Sequence, residues 1–167
     1  MDCTRCGTGR QDACILNDAL KLMIPEGFHV MTEEERGRVR LLTDGEWVGL
    51  SNPERHILVT VGWKPVGRFA AAMLSGSELA GTMEKKIRKP MQGLGYRLEG
   101  FTERTIAGTK ANGFRYGYEA QTIEMTAESC AVKHERTIYY FHFYARAALK
   151  QESLPVWEEL LDSACWK

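Results

Sequence analysis

The sequence predicts an α+β fold in which one antiparallel β-sheet is covered by helices on both faces, an α-β-α sandwich. Three observations carry that prediction. Residues 105–146 read as two long strands with a turn between them, and the first alternates Phe114, Tyr116 and Tyr118. The second contains the densest apolar block of the chain, IYYFHFY at 138–144. Successive side chains of a strand point to opposite faces, so Ile138, Tyr140, His142 and Tyr144 share one face, and Tyr139, Phe141 and Phe143 the other. Both faces are apolar or aromatic, which a strand open to water on one side does not show. Finally, two amphipathic segments, 77–92 and 154–165, are available as covers. This strand is therefore expected to be shielded on both flanks, with little room inside for chemistry.

The elements follow in order. The first fourteen residues are polar, rich in Gly and Cys, and lack periodicity, so residues 1–18 read as an arm and 19–167 as a single domain. Leu20, Met23 and Ile24 mark a first strand over 19–24, which Pro25, Glu26 and Gly27 stop. Residues 28–31 read as a short extended piece. Thr32 and Glu35 have the spacing of a capping box, and Gly37 ends the short helix that it opens. Residues 47–51 and 55–63 are β-rich around Asn52, Pro53 and Glu54, which predicts a hairpin. Residues 64–68 read as a loop.

Over 77–92, Leu79, Met83, Ile87 and Met91 recur every four residues, with Lys85, Lys86, Arg88 and Lys89 mostly off that stripe. Pro90 and Gly93 end this main helix. A strand over 96–106, a turn at 107–110, a strand over 111–125, a second turn at 126–131 and a strand over 132–146 follow. Pro155 opens the closing helix, whose apolar stripe holds Val156, Trp157, Leu160, Leu161 and Ala164.

At 167 residues, 44% hydrophobic and 26% charged, the composition suits one domain with one core. Lys plus Arg (22) balance Asp plus Glu (22), which disfavours nucleic acid and anionic membranes as partners. The charge is uneven, since residues 84–118 are net positive and 26–54 net negative. The N-terminus lacks the apolar core of a signal peptide, and no apolar run approaches the ~18 residues of a membrane span, which points to a cytoplasmic protein. Five cysteines cannot all pair within the chain.

The order of elements resembles a known superfamily. An early strand ending in Pro25, Glu26, Gly27 and Phe28, a hairpin, one long helix, a strand leading into IAGTKANGFRY at 106–116, two long strands and a closing helix are similar to the PsbP-like and Ran-release-factor (Mog-type) superfamily. The resemblance covers about 19–166 and implies a small bacterial stand-alone member. It implies a non-enzymatic binding or accessory protein, with a secretion chaperone as the alternative.

Cys3, Cys6 and Cys14 are the only constellation with ligand spacing. Two thiolates two residues apart can grip one metal ion, and Zn²⁺ wants a fourth ligand, which His29, Cys130, Cys165 or a partner would supply. The plainer reading is an arm of reduced thiols without cofactor, and a thioredoxin-like pair lacks its strand and helix. His134 and His142 lie an even number of residues apart, on a face shared with Arg136, Tyr140 and Tyr144; they could bind a small anion or move a proton, or be satisfied sheet histidines. Gly76 and Gly81 have the spacing of a phosphate loop but lack its lysine. No nucleophile stands in a recognisable triad pattern.

For partner binding, the candidates are the basic helix face of Lys85, Lys86, Arg88 and Lys89, and an apolar patch of Trp63, Pro65, Phe69 and Trp166, with core packing an equal reading for Trp63. The sequence thus points to a module that binds another protein. A groove for hydrophobic segments, with a possible homodimer, and a zinc-binding arm are the alternatives.

Overall fold

A computed structural model describes residues 12–39 and 45–167. In chain order the elements are β1 (Ala13–Leu16), β2 (Leu20–Met23), β3 (His29–Val30), α1 (Glu33–Arg38), β4 (Glu46–Asn52), β5 (Ile57–Pro65), α2 (Arg68–Met73), α3 (Gly76–Met91), β6 (Arg97–Ile106), β7 (Thr109–Ala120), β8 (Ile123–His134), β9 (Thr137–Arg146), α4 (Lys150–Asp162) and β10 (Cys165–Trp166). Seven strands form one sheet in the order β3-β4-β5-β9-β8-β7-β6, antiparallel throughout. The aromatic block therefore lies on the middle strand, β9. A second, three-stranded sheet pairs β1, β2 and β10.

Helices cover both faces. On one, Tyr139, Phe141 and Phe143 of β9 meet Trp157, Leu160 and Leu161 of α4, together with Leu16, Leu20 and Leu22 of the small sheet. On the other, Phe114, Tyr116 and Tyr118 of β7 meet Leu79, Met83 and Ile87 of α3. The starts of α1 and α3 are closed reciprocally. In α1 the Thr32 hydroxyl accepts from Glu35 N and the Glu35 carboxylate from Thr32 N, and Ser75 and Glu78 do the same for α3.

Several expectations change. The arm does not extend to residue 18, because β1 pairs with β2 and Leu16 is 1% exposed in the core. Residues 126–131 are not a turn but the interior of β8, where Thr126, Glu128 and Ser129 are buried. The actual reversal is the two-residue loop Gln121 and Thr122, with φ of 49° and 69°. That left-handed geometry normally selects Gly, Asn or Asp, so neither residue announces it. Residues 64–68 are shared between the end of β5 and α2, a helix the sequence reading missed. The main helix ends through a 3₁₀ turn at Gln92–Leu94 and stops on left-handed Gly95 (φ 66°), not on Gly93.

Thr122 is β-branched and left-handed, a strained combination. Thr122→Gly is expected to raise stability by about 1 kcal/mol, read from the urea midpoint; a destabilised variant would remove this account of the turn.

Candidate functional site

A helix is about 10 Å wide and neighbouring strands are about 4.8 Å apart, so one helix covers roughly two strands. α3 packs on β7 and β8, and the same face of β9 and β5 continues beyond it. There the protein holds a cavity of about 1030 Å³, walled by Tyr116, Tyr118, Tyr140 and Tyr144 from the sheet and by Met83 and Met91 from α3. This corrects the expectation that little room is left beside the final strand. Its two flanks are unlike: Tyr139, Phe141 and Phe143 are closed in by α4, whereas Tyr140, His142 and Tyr144 border the cavity.

A polar row crosses the sheet at His142, which lines the cavity. Thr60 on β5, His142 on β9 and Ser129 on β8 are cross-strand neighbours, all at most 3% exposed. Ser129 Oγ and His142 Nδ1 are 2.7 Å apart. His142 Nε2, Thr60 Oγ1 and the Tyr116 hydroxyl are buried without a hydrogen-bond partner among the described residues; the Tyr116 hydroxyl lies beside Ser129 and Tyr144 without a bond of good geometry. Buried polar groups are normally satisfied, so the unpartnered Nε2 of His142, which lines the cavity, marks a place for water or for a ligand's polar group. Ser129 and His142 do not form an accessible nucleophile and base, because Ser129 is 0% exposed and no carboxylate meets Nε2 among the described residues.

Burial sets the protonation of these groups. It lowers the His142 pKa to about 4, and it raises those of Tyr140, Tyr144 and Tyr116, with Tyr118 reaching about 12. At neutral pH the wall is an uncharged imidazole and protonated phenols. A depressed histidine pKa means that the unfolded chain takes up a proton first, so stability is present in full above pH 6.5 and is lost as pH falls towards 4. That loss is expected to be about 3 kcal/mol, measured by urea titration across this range. His142→Asn should flatten the profile there, and an unchanged slope would refute the assignment.

The predicted partner residues are dispersed. Lys85, Lys86, Arg88 and Lys89 are all exposed, but Arg88 lies 3.6 Å from buried Glu84, itself bound by the Tyr96 hydroxyl at 2.9 Å, and Lys86 lines the cavity. The positive segment 84–118 is largely neutralised, since Arg97, Arg104, Lys110 and Arg115 also have carboxylate partners. Lys85, Lys86 and Lys89 have no ion pair among the described residues.

The apolar patch expected at Trp63, Pro65, Phe69 and Trp166 does not form as one surface. Trp63 is half-buried in the α4-side core and donates its indole N–H to Glu46 at 3.1 Å. Trp166 is also half-buried there, stacked on His134 at 3.9 Å with its N–H on Thr109. Phe69, by contrast, stands 85% exposed on α2 with Met73, 82% exposed, one turn along, and the flanking Val66 and Leu74 pack with the α3-side core.

His134 and His142 do not share a face. The turn at Glu135 and Arg136 places His134 on β8 opposite Thr137, which resets the alternation and turns its ring to the α4 side. Cys3 and Cys6 lie outside the described residues. Cys14 is half-buried on β1 and burial raises its pKa, which opposes the thiolate a metal would need. Of the suggested fourth ligands, Cys130 is fully buried with its pKa raised by burial, and His29 pairs with Glu35 at 2.9 Å. No cluster of metal-ligating residues occurs among the described residues, and no helix among them is long and apolar enough to cross a membrane.

No protein-family model matches the sequence, and no curated protein matches it. Solved structures do. The solution structure of cyanobacterial PsbP (CyanoP) from Synechocystis is similar with a TM-score of 0.71 at 12% identity, covering 99% of each chain. LpqN of Mycobacterium tuberculosis, involved in cell envelope biogenesis, is similar at 0.58 and 9% identity over 96% of this chain and 87% of its own. The Ran-binding protein Mog1p of Saccharomyces cerevisiae is similar at 0.57 and 11%, over 93% of this chain and 94% of its own. With nearly the whole chain superposed and an antiparallel sheet held between helices, the protein has the PsbP-like, Mog-type α+β fold.

Proposed function

We propose that the protein is a non-enzymatic module that binds another protein, and that α2 is where it docks. One observation carries the reading: Phe69 and Met73 project 85% and 82% into solvent at a spacing of one helical turn. Removing such side chains from water is worth about 1.5–3 kcal/mol each, and a single exposed apolar residue is common whereas a large aligned pair is not. Arg68 on the same helix is exposed, as are Lys85 and Lys89 of α3, so the complementary partner surface is acidic and offers an apolar socket. Aromatic, methionine and arginine side chains are the ones enriched in interface centres. The fold is consistent with this reading, since yeast Mog1p is by its name a Ran-binding protein.

The test is affinity capture with Phe69→Ser/Met73→Ser beside Lys85→Glu/Lys89→Glu. The first pair is expected to abolish capture of the partner and the second to weaken it, with far-UV dichroism and melting temperature unchanged. Retention of the same partner by the Phe69→Ser/Met73→Ser protein would sink the proposal.

A further inference from the structure

The cavity beside α3 is a second functional feature, independent of the α2 surface. It is lined by Leu58 near one end of β5 and by Lys64 near the other, about 20 Å apart along an extended strand. It is thus a trough and not a round hole. Its volume, about 1030 Å³, stands at the upper end of small-molecule sites, ~300–1,000 Å³. Met83, Met91 and Met125 and four tyrosines contribute to the wall, and the methionines make it a soft surface that adapts to flexible chains.

Two further observations select the ligand. Lys64 and Lys86 line the trough, and among the described residues no aspartate or glutamate does; neither lysine has an ion-pair partner among those residues. The floor also holds His142, whose buried Nε2 has no hydrogen-bond partner among the described residues. We propose that this trough binds a linear amphipathic carboxylate, its apolar chain laid along β5 and β9 against the tyrosines and methionines and its carboxylate held by Lys64 or Lys86. A cationic amphiphile would meet two uncompensated ammonium groups. A neutral one would leave both without a counterion. The phenols and imidazole of the wall are uncharged at neutral pH and add no repulsion.

Laurate, dodecanol and dodecyltrimethylammonium, each below its micellar concentration, separate these cases. The full-length protein, stripped of lipid under denaturant and refolded, is titrated with each, and binding is read by displacement of a fluorescent fatty acid and by native mass spectrometry. Laurate is expected to bind as one molecule per chain, at least tenfold tighter than the cation. Lys64→Glu/Lys86→Glu, a change at exposed positions, should remove that preference, and Phe69→Ser/Met73→Ser should retain it, so failure here leaves the α2 reading standing and the reverse. Equal affinity for the three amphiphiles, no binding of laurate by refolded protein with a native dichroism spectrum, or an apolar peptide that binds and is not displaced by laurate would each overturn the proposal.

Discussion

Trp157→Ala is expected to lower the unfolding free energy by about 3–5 kcal/mol, the range for truncating a large buried aromatic. Trp157 is 0% exposed, its ring stacks on Phe143 at 5.4 Å, and its neighbours in the core include Leu160 and Leu161 of α4 and Leu20 and Leu22 of β2. It is the side chain through which α4 joins the large sheet to the small one. Domains are typically stable by only ~5–15 kcal/mol, so this loss removes a large share of the total. Trp157→Phe, which keeps the stacking surface and removes the unpartnered indole N–H, should cost about 1 kcal/mol. Urea denaturation followed by far-UV dichroism measures both, and an alanine variant within 1 kcal/mol of wild type would show that α4 does not cement the fold.

Glu128→Leu ranks second, at about 3 kcal/mol. Glu128 is 0% exposed on β8, and its carboxylate accepts from Arg104 Nε at 2.7 Å, Arg104 Nη2 at 2.9 Å and Arg115 Nη2 at 2.8 Å. Burial alone would raise its pKa, but the hydrogen bonds and charges of the two guanidiniums outweigh burial and hold it below the ordinary 4.5. A lowered carboxyl pKa stabilises the fold fully above pH 4.5 and less as the pH falls through the lower folded value. The variant should therefore be weaker at neutral pH and lack the steep loss of stability that wild type shows below pH 4.5. Arg104 and Arg115 remain 20% and 25% exposed and can rehydrate, which sets the estimate at the lower end of the range for a broken buried pair. Parallel wild-type and variant profiles below pH 4.5 would refute the role given to Glu128.

What the sequence made legible was what period and volume encode. Leu79, Met83 and Ile87 at helical spacing do face the sheet, and the aromatic residues of 138–144 do form the middle strand. The errors arose where polar residues do structural work or where a turn lacks turn chemistry. Thr126, Glu128 and Ser129 looked like a loop, yet each is buried on β8, and for Glu128 the compensating arginines lie 24 and 13 residues away. Gln121 and Thr122 reverse the chain without glycine. Two-fold alternation runs only within a strand, so parity could not relate His134 to His142 across an unseen turn. The cavity did leave a trace: the face of β9 that borders it carries polar tips on Tyr140, His142 and Tyr144, while the covered face has only that of Tyr139 beside Phe141 and Phe143. Helix length and sheet width set the uncovered area, and neither is a local property of those residues.

The small sheet also fixes the order in which the molecule is completed. Cys165 pairs with Lys21, Lys167 N donates to Ala19 O at 2.8 Å, and Met23 N reaches Ser163 Oγ across 140 positions. Leu16, Leu20 and Leu22 are thus buried by elements more than 130 positions away along the chain, so closing this clasp is a slow, non-local step of folding that leaves three leucines uncovered until it is made.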